Sequence, residues 1–320
     1  MQNGSDIGEG SWFKFRMRMK TTFKFRLQTT SPSFGRAICG CVVLLVTVSA
    51  PAQNLFETDF GSGNVYEFTP AAAQSTFASG VTFLTGLAFN SAGNLFVADE
   101  YGTIHEYTPG GAPGTFASGA GVPLGLAFNR AGNLFSSDLV NHSVYQFTPG
   151  GVRSTFAAGL SAAGLAFDRA GNLFVTDIGS GTVDEFKPGG TGSTFASGLN
   201  EPFNLAFDSA GNLFVADTGS GNIFEYTPDG TRTTFASGLN QPVGLAFDST
   251  GNLFEADYGS GDIYEFTPGG ARTTFVSGLN EPFLLAFQGQ TLPVPEPSTV
   301  AMLMAGVAAL LLRRRPGRAR

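Results

Sequence analysis

The tripeptide Asn-Leu-Phe occurs six times in this chain, starting at residues 54, 94, 133, 172, 212 and 252, so successive copies lie 39 or 40 residues apart. A second tripeptide, Leu-Ala-Phe, also occurs six times, starting at residues 87, 126, 165, 205, 245 and 285. Self-similarity at a fixed period of this length indicates one repeated supersecondary unit. This repetition constrains the fold more strongly than any single motif does.

Each repeat contains four short runs of aromatic and aliphatic residues. In the unit 204–243 the runs lie at 205–207, 213–216, 223–226 and 233–236, and turns rich in Gly, Asp, Asn, Ser and Pro separate them. Runs of this length and composition, bounded by such turns, predict β-strands. Four strands in about 40 residues, repeated around an axis, predict an all-β fold, the β-propeller.

The order of the two tripeptides predicts how the ring closes. The first unit begins at Asn-Leu-Phe, and the last Leu-Ala-Phe, at 285–287, has no Asn-Leu-Phe after it. We therefore expect six blades of four antiparallel strands over 53–290, with one split blade. Its inner strand is C-terminal and its outer three strands come from 54–80, which leaves no unpaired edge.

The N-terminal residues 1–52 have the features of a secretory signal peptide. Seven basic residues in 1–36 precede an apolar run at 37–50, and Ala-Pro-Ala at 50–52 resembles a cleavage site. Met19 opens a leader of more ordinary length and is the alternative start. Both cysteines, Cys39 and Cys41, lie in the apolar run, so no disulfide framework is expected in the remainder.

The C-terminal residues 291–320 are predicted to be a linker and a sorting tail. Val-Pro-Glu-Pro at 294–297 is followed by an apolar run at 300–312 and an Arg-rich end. The apolar run is shorter than the ~20 residues of a permanent membrane span. The basic end would stay on the cytoplasmic side.

This arrangement resembles the PEP-CTERM sorting signal. The matching residues are Pro295, Glu296, Pro297, Arg313, Arg314 and Arg315. The resemblance implies an exosortase-type processing enzyme as a partner and transient inner-membrane anchoring by a C-terminal transmembrane helix. It also implies display at the cell surface or in the extracellular matrix of a Gram-negative bacterium. An ordinary C-terminal anchor is the alternative.

The charge of the chain is concentrated in its middle part. Twelve of the 18 basic residues lie in 1–36 and 313–320, and all but three of the 25 acidic residues lie in 53–293. The middle part therefore holds six basic and 22 acidic residues, a net charge near −16. A field of this sign repels nucleic acid, so we expect no nucleic-acid partner.

Positions at which the six units differ are the candidates for function. The Val of Leu-Phe-Val-Ala-Asp is replaced by Glu57 and Glu255, and we expect both side chains to reach channel water, with a structural hydrogen bond or a shared cation or proton as alternatives. By contrast, the Asp that ends this segment in every unit is expected to fix the turn that follows. The full candidate set for the channel and its upper face is Glu57, Glu255, Asn204, Glu201, Glu281, His105 and Asp184.

The consensus Gly-Leu-Ala-Phe-Asp-x-x-Gly-Asn-Leu-Phe-Val-Ala-Asp resembles the NHL repeat, and is similar to the six-bladed class that includes gluconolactonases. In those lactonases an Asn just before the inner-strand Gly binds a central Ca²⁺. Streptogramin-lyase propellers share the architecture, but they are rich in Trp and use His with Mg²⁺. Here the single Trp, Trp12, lies in the leader. The positions that correspond to the lactonase Asn are Thr85, Leu124, Ala163, Phe203, Val243 and Phe283.

Two functions follow from these observations. The first is a non-enzymatic binding or matrix-associated module for protein or polysaccharide partners. The second is a lactonase or lyase that depends on a divalent metal, Ca²⁺ or Mg²⁺, at the central channel. The lactonase or lyase requires carboxylates that converge on the channel mouth, whereas the binding module requires only a displayed rim.

Overall fold

The computed structural model describes residues 14–15, 23–24 and 53–289. The chain divides into two units, Met1–Val48 and Ser49–Arg320. In the first unit, strands β1 (Lys14–Phe15) and β2 (Phe23–Lys24) pair antiparallel. The predicted signal peptide otherwise lies outside the described residues, and so does the sorting tail.

The second unit contains six four-stranded antiparallel sheets, which we number as blades 1 to 6. In blade order, the inner strands are β26 (Pro282–Phe287), β6 (Leu84–Phe89), β10 (Pro123–Phe128), β14 (Ala162–Phe167), β18 (Pro202–Phe207) and β22 (Pro242–Phe247). The second strands are β3 (Leu55–Asp59), β7 (Leu95–Asp99), β11 (Leu134–Asp138), β15 (Leu173–Asp177), β19 (Leu213–Asp217) and β23 (Leu253–Asp257). The third strands are β4 (Asn64–Phe68), β8 (Ile104–Tyr107), β12 (Ser143–Phe147), β16 (Thr182–Phe186), β20 (Asn222–Tyr226) and β24 (Asp262–Phe266). The outermost strands are β5 (Gln74–Ala78), β9 (Pro113–Ala117), β13 (Arg153–Ala158), β17 (Gly192–Ser197), β21 (Arg232–Ala236) and β25 (Arg272–Val276).

The predicted six-bladed propeller with a split first blade is confirmed. The last strand, β26, pairs with β3, and Leu285 lies opposite Glu57. Beyond the strand ends, the backbone N–H of Gln288 donates to the carbonyl of Asn54 at 3.0 Å. The side chain of Gln53 donates to the carbonyl of Gln288 at 2.9 Å. Hydrogen bonds therefore continue the closure past the strands themselves.

Repeated phenylalanines fill the spaces between blades, as the sequence predicts. In blade 6, Phe254 packs edge-on against Phe275 of its own outermost strand and against Phe287 of blade 1, both at 5.0 Å between centroids. The same three-ring contact recurs in every blade, centred on Phe56, Phe96, Phe135, Phe174, Phe214 and Phe254. Edge-to-face pairs are favourable beyond the area they bury.

The strand directions define two faces of the ring. Pro202 lies opposite Asp217 at one end of blade 5, and Phe207 lies opposite Leu213 at the other end. We call the first end, with the loops that enter the inner strands, the top face, and the second end the bottom face. Gln53 and Gln288 meet at the bottom end of blade 1. The propeller, residues 53–289, therefore begins and ends on the bottom face.

Within 53–289 and the two short N-terminal strands, no helix has the length and apolar character needed to cross a membrane. The predicted C-terminal helix at 300–312 lies outside the described residues.

Candidate functional site

The upper part of the channel is filled by hydrocarbon side chains. Leu124, Val243 and Phe283 are buried members of the central hydrophobic cluster, together with Ala163, and Phe203 packs against them. These are the positions that correspond to the cation-binding Asn of the lactonases. Ca²⁺ takes about six to eight oxygen ligands, and Mg²⁺ also binds oxygen. The ring of residues present here does not fit either ion.

Thr85, the one polar residue among these six positions, makes a hydrogen bond within the protein. Its hydroxyl donates to the carbonyl of Pro123 at 2.5 Å and so joins the inner strands of blades 2 and 3. Among the described residues, no three His, Cys, Asp or Glu side chains are grouped so that they could hold a metal ion.

The lower part of the channel holds a cavity of about 700 Å³. The Leu-Ala-Phe segments form its apolar wall, and the charged residues that line it are Arg130, Arg169, Asp208 and Asp248. Arg169 also donates to the backbone carbonyl of Ser209, so this cation is held by the loop of the next blade. The cavity can accommodate an apolar group, and it lies at the end of the channel where Gln53 and Gln288 meet.

The expectation that Glu57 and Glu255 reach channel water is wrong, because both residues are 0% exposed. One oxygen of Glu57 accepts a hydrogen bond from the backbone N–H of Phe283 at 3.3 Å. Its other oxygen and both oxygens of Glu255 have no hydrogen-bond partner among the described residues. Burial raises the pKa of both carboxyls well above the ordinary value, and the charges of Asp59 and Asp257 add to the effect. The protonated, uncharged form of each is therefore favoured.

The two glutamates also do not share a proton or a cation. Side chains alternate between the two faces of a strand. Phe254 faces blade 1 and Phe56 faces blade 2. Glu255 therefore faces blade 5 and Glu57 faces blade 6, with the whole sheet of blade 6 between the two carboxyls. The structure places them in two separate interfaces between blades.

The Asp at the end of each second strand fixes the following turn, as predicted, and also holds a neighbouring loop. In blade 1, Asp59 accepts from the backbone N–H of Ser62 in the turn and from that of Asn280 in the loop entering the inner strand. Equivalent bonds to that loop occur at Asp138, Asp177, Asp217 and Asp257. These carboxylates are structural groups of the top face.

Blade 2 departs from this arrangement through His105. The ring Nε2 of His105 lies 2.9 Å from the Oδ2 of Asp99, whereas the equivalent Asp of the other blades accepts a hydrogen bond from the incoming loop. His105 lies on β8, the third strand, and is therefore away from the channel. The incoming loop of blade 2 also has Thr82 where blade 1 has Asn280, and Tyr101 stands where blade 1 has Gly61. A side chain at Gly61 would collide with Asn280.

The side chains of Asp184 and Asn204 are also engaged in hydrogen bonds within the propeller. Asp184, on the third strand of blade 4, accepts hydrogen bonds from the hydroxyls of Thr182 and Thr194. Asn204, on the inner strand of blade 5, accepts from the backbone N–H of Leu245 in blade 6 at 3.2 Å. Of the candidate residues, Glu201 and Glu281 lie in the loops of the top face.

A group of aromatic rings covers the top face around the closure. Phe60 lies 5.4 Å from Phe83, 5.6 Å from Phe283 and 6.5 Å from Tyr258. Phe83 in turn lies 6.1 Å from Tyr101. Phe83 is 42% exposed and Tyr101 is 70% exposed. We call these five residues the aromatic surface.

Two carboxylates adjoin the aromatic surface. Burial raises the pKa of the Tyr258 hydroxyl, and a hydrogen bond with Glu281 and the charges of Glu281 and Glu100 raise it further. Backbone hydrogen bonds hold the loops that carry these rings and carboxylates. The N–H of Phe60 donates to the carbonyl of Glu281, and the N–H of Glu100 donates to the carbonyl of Phe83.

The loop residue before the inner strand has a left-handed conformation in four blades. The φ angles are 56° at Phe83, 54° at Glu201, 60° at Gln241 and 64° at Glu281. Non-glycine residues pay about 1–3 kcal/mol for such backbone, and it persists where the surroundings determine it. The hydrogen bonds from the neighbouring turns to Phe83, Gln241 and Glu281 supply that support.

The aromatic surface is the feature that sequence comparison missed. The phenylalanines that follow the repeat pack between blades. Phe60, Phe83, Tyr101 and Tyr258 do not follow the repeat, and all four lie in top-face turns. Aromatic residues at turn positions where the other units have polar, aliphatic or glycine residues are the signal that would have identified them.

Comparisons with known proteins agree with the fold and the tail. The family described as PEP-CTERM protein-sorting motif matches residues 293–315. This motif implies recognition by an exosortase and export to the cell envelope or surface of a Gram-negative bacterium. No curated protein matches the sequence of this chain.

Solved propellers resemble the structure at low sequence identity. A chain in the crystal structure of a nidogen/laminin complex has a TM-score of 0.68 and 20% identity, covering 75% of this chain and 100% of its own. A gluconolactonase from Xanthomonas campestris has a TM-score of 0.58 and 20% identity, covering 64% and 79%. A streptogramin B lyase has a TM-score of 0.60 and 13% identity, covering 72% and 82%. At these identities the likeness shows the fold alone.

Proposed function

We propose that this protein is a non-enzymatic binding module that is displayed at the cell surface and meets a partner through its top face. The observation that carries the proposal is the hydrocarbon filling of the upper channel by Leu124, Val243 and Phe283. A metal-dependent lactonase or lyase would need oxygen or nitrogen donors at this place. The aromatic surface beside it offers contact area instead.

The positions of the chain ends support the orientation. The described chain enters at Gln53 and leaves after Gln288 on the bottom face. Under this proposal the sorting tail, with its motif at 293–315, attaches there. The top face then points away from any anchor, towards the medium or the matrix.

The remaining parts of the proposal concern processing and partners. Residues 1–52 are removed as a signal peptide, and the apolar run at 300–312 anchors the protein transiently in the inner membrane. The partner is a protein or a polysaccharide of the surface or matrix. The acidic middle part of the chain disfavours nucleic acid.

Surface display is tested on intact cells. An epitope inserted in the top turn at 218–221 should be accessible to antibody on cells that express the wild-type tail. It should be lost from the surface when Pro295, Glu296 and Pro297 are all replaced by Ala. Retention of the epitope inside cells with the wild-type tail would refute display.

The non-enzymatic part is tested with the purified full-length chain. Calorimetric titration with Ca²⁺ and Mg²⁺, and hydrolysis of gluconolactone in the presence of each ion, should give no single-site binding and no turnover. Stoichiometric binding of one ion together with ion-dependent turnover would establish the lactonase instead. Phe283→Ala is the matched control for these measurements, because it opens the upper channel without adding an oxygen donor. It should also show no single-site ion binding and no turnover.

A further inference from the structure

The aromatic surface combines exposure with a fixed geometry. Phe83 and Tyr101 are two of the four large hydrophobic residues that are exposed among those the structure describes. They contact each other, and they join a continuous series of rings from blades 1, 2 and 6. Exposed apolar groups that cluster in this way mark interaction sites, and aromatic anchors dominate the energetics of such sites.

The side chains in the loops around these rings are acidic, and the guanidinium groups that reach the top face, those of Arg153 and Arg232, are already bound to the loop carbonyls of Gly119 and Gly198. The loops of the top face contain Glu100, Glu201 and Glu281 but no Lys or Arg. Glu100 and Glu281 both act on Tyr258, so both carboxylates lie beside the aromatic surface. The loops of the bottom face, in contrast, carry Arg130, Arg169 and Lys187 as well as acidic residues.

A ligand that suits both features carries a positive charge on a group that can lie over a ring. The faces of aromatic rings attract cations, and guanidinium more often than ammonium. Carboxylates bind guanidinium through paired, charge-assisted hydrogen bonds. Arginine meets both requirements with one planar side chain. A neutral sugar could stack on the rings, but it would leave the negative charge uncompensated.

We propose that the aromatic surface, with Glu100 and Glu281, binds arginine side chains of a basic segment in a protein partner. This inference rests on the proposed function, because it names the partner class for the top face. The exposed edge formed by Phe83 and Tyr101 receives the guanidinium plane, and the two carboxylates supply the acceptors.

The test uses the full-length chain and a fluorescein-labelled peptide of sequence Gly-Arg-Gly-Arg-Gly. A second peptide has citrulline, the neutral isostere, at both arginine positions. Fluorescence anisotropy at low and at physiological salt should show about tenfold tighter binding of the arginine peptide. Tyr101→Ala should weaken it about two- to fivefold, which is the range for one exposed cation–π contact. Glu100→Gln combined with Glu281→Gln should weaken it further and reduce its salt dependence.

Matched controls separate a site from a general acidic field. Val140 occupies in blade 3 the turn position that Tyr101 occupies in blade 2, and it is 62% exposed. Val140→Ala combined with Asp229→Asn on a bottom turn should change the affinity by less than about twofold. Equal loss in this control, or equal binding of the citrulline peptide, would overturn the proposal.

A further competition distinguishes the ligand class. If a neutral glucan oligosaccharide displaces the arginine peptide and its own binding is lost in Tyr101→Ala, the surface is a glycan site and the inference is overturned. Failure of the peptide to bind, with surface display intact and no lactone turnover, overturns the inference but leaves the proposed function standing. Circular dichroism of each variant confirms that the exposed substitutions leave the fold unchanged.

Discussion

Two neighbouring interfaces, between blades 5 and 6 and between blades 6 and 1, differ from the other interfaces of the ring. At the same position of the second strand, blades 2, 4 and 5 bury Val97, Val175 and Val215, whereas blades 6 and 1 bury Glu255 and Glu57. The backbone pairing is equivalent, since Leu245 lies opposite Glu255 as Leu205 lies opposite Val215. The fold therefore accepts a carboxyl where hydrocarbon is usual. It does so at a cost, because a buried polar group without a partner is unfavourable.

The largest effect is expected from removing the strand that closes the ring. Deletion of residues 284–288 removes most of β26, which exposes the edge of β3 and the ring of Phe254. We expect aggregation or loss of the cooperative transition, measured by size-exclusion chromatography and thermal unfolding. Replacement of the exposed turn residues Pro188 and Thr191 of blade 4 by Ala is the control. A soluble monomer of unchanged stability would contradict closure by the split blade.

The next largest effect should come from moving the carboxyl to an ordinary interface. Val215 is 0% exposed and packs in the cluster between blades 4 and 5. Val215→Glu should lower the free energy of unfolding by about 3–5 kcal/mol, because the acid gains no partner there. Denaturant titration measures the change, with Val215→Thr as a control of similar volume. A loss below about 1 kcal/mol would show that any blade tolerates the substitution.

Replacing Glu57 and Glu255 by Val, the residue of blades 2, 4 and 5 at this position, should instead raise the free energy of unfolding. Glu57→Val combined with Glu255→Val should raise the free energy of unfolding by about 1–3 kcal/mol, since three unpartnered oxygens are removed from the interior. Denaturant titration at neutral pH measures the gain. A loss of stability in the double variant would show that the carboxyls make contributions that Val cannot replace, and would end the contrast between the two kinds of interface.

The last expected effect is a pH dependence of stability that belongs to the same two groups. Their folded pKa lies above the ordinary value of 4.5, so the unfolded chain releases these protons first. Their contribution to stability is complete below that value and is lost as the pH rises towards the folded pKa. The charges that face them are Asp59 for Glu57, and Asp257, Arg272 and Asp262 for Glu255.

The measurement compares wild type with Glu57→Gln combined with Glu255→Gln. From pH 5 to 7, wild type should lose up to about 1.4 kcal/mol per pH unit for each carboxyl relative to the variant. Parallel stability curves for the two proteins over this range would show that neither group titrates on unfolding.

The sequence predicts the ring because each unit repeats the same few interactions. Six copies each of Asn-Leu-Phe and Leu-Ala-Phe fix the strand count. Because the chain begins its repeats with Asn-Leu-Phe and ends them with Leu-Ala-Phe, the sequence also predicts the pairing of β26 with β3. The burial of Glu57 and Glu255 was not predicted, because alternation along a strand shows which face a side chain occupies but not whether water reaches it. The aromatic surface was also hidden, since its members come together from four turns and an inner strand far apart in the sequence.

The pairing of β3, the first strand of the propeller, with β26, the last, bears on the order of events during the proposed export. If residues 1–52 direct export from the N-terminus, as proposed, β3 leaves the membrane early, and its inner edge stays unpaired until β26 follows, more than 220 residues later. Loop-closing contacts of such long range form slowly and leave strand edges exposed in the meantime. The residues that complete the ring directly precede the sorting motif at 293–315. Under the proposed function, completion of the fold and arrival of the sorting tail at the membrane therefore coincide, and the chain would become a closed ring only as its tail becomes available for processing.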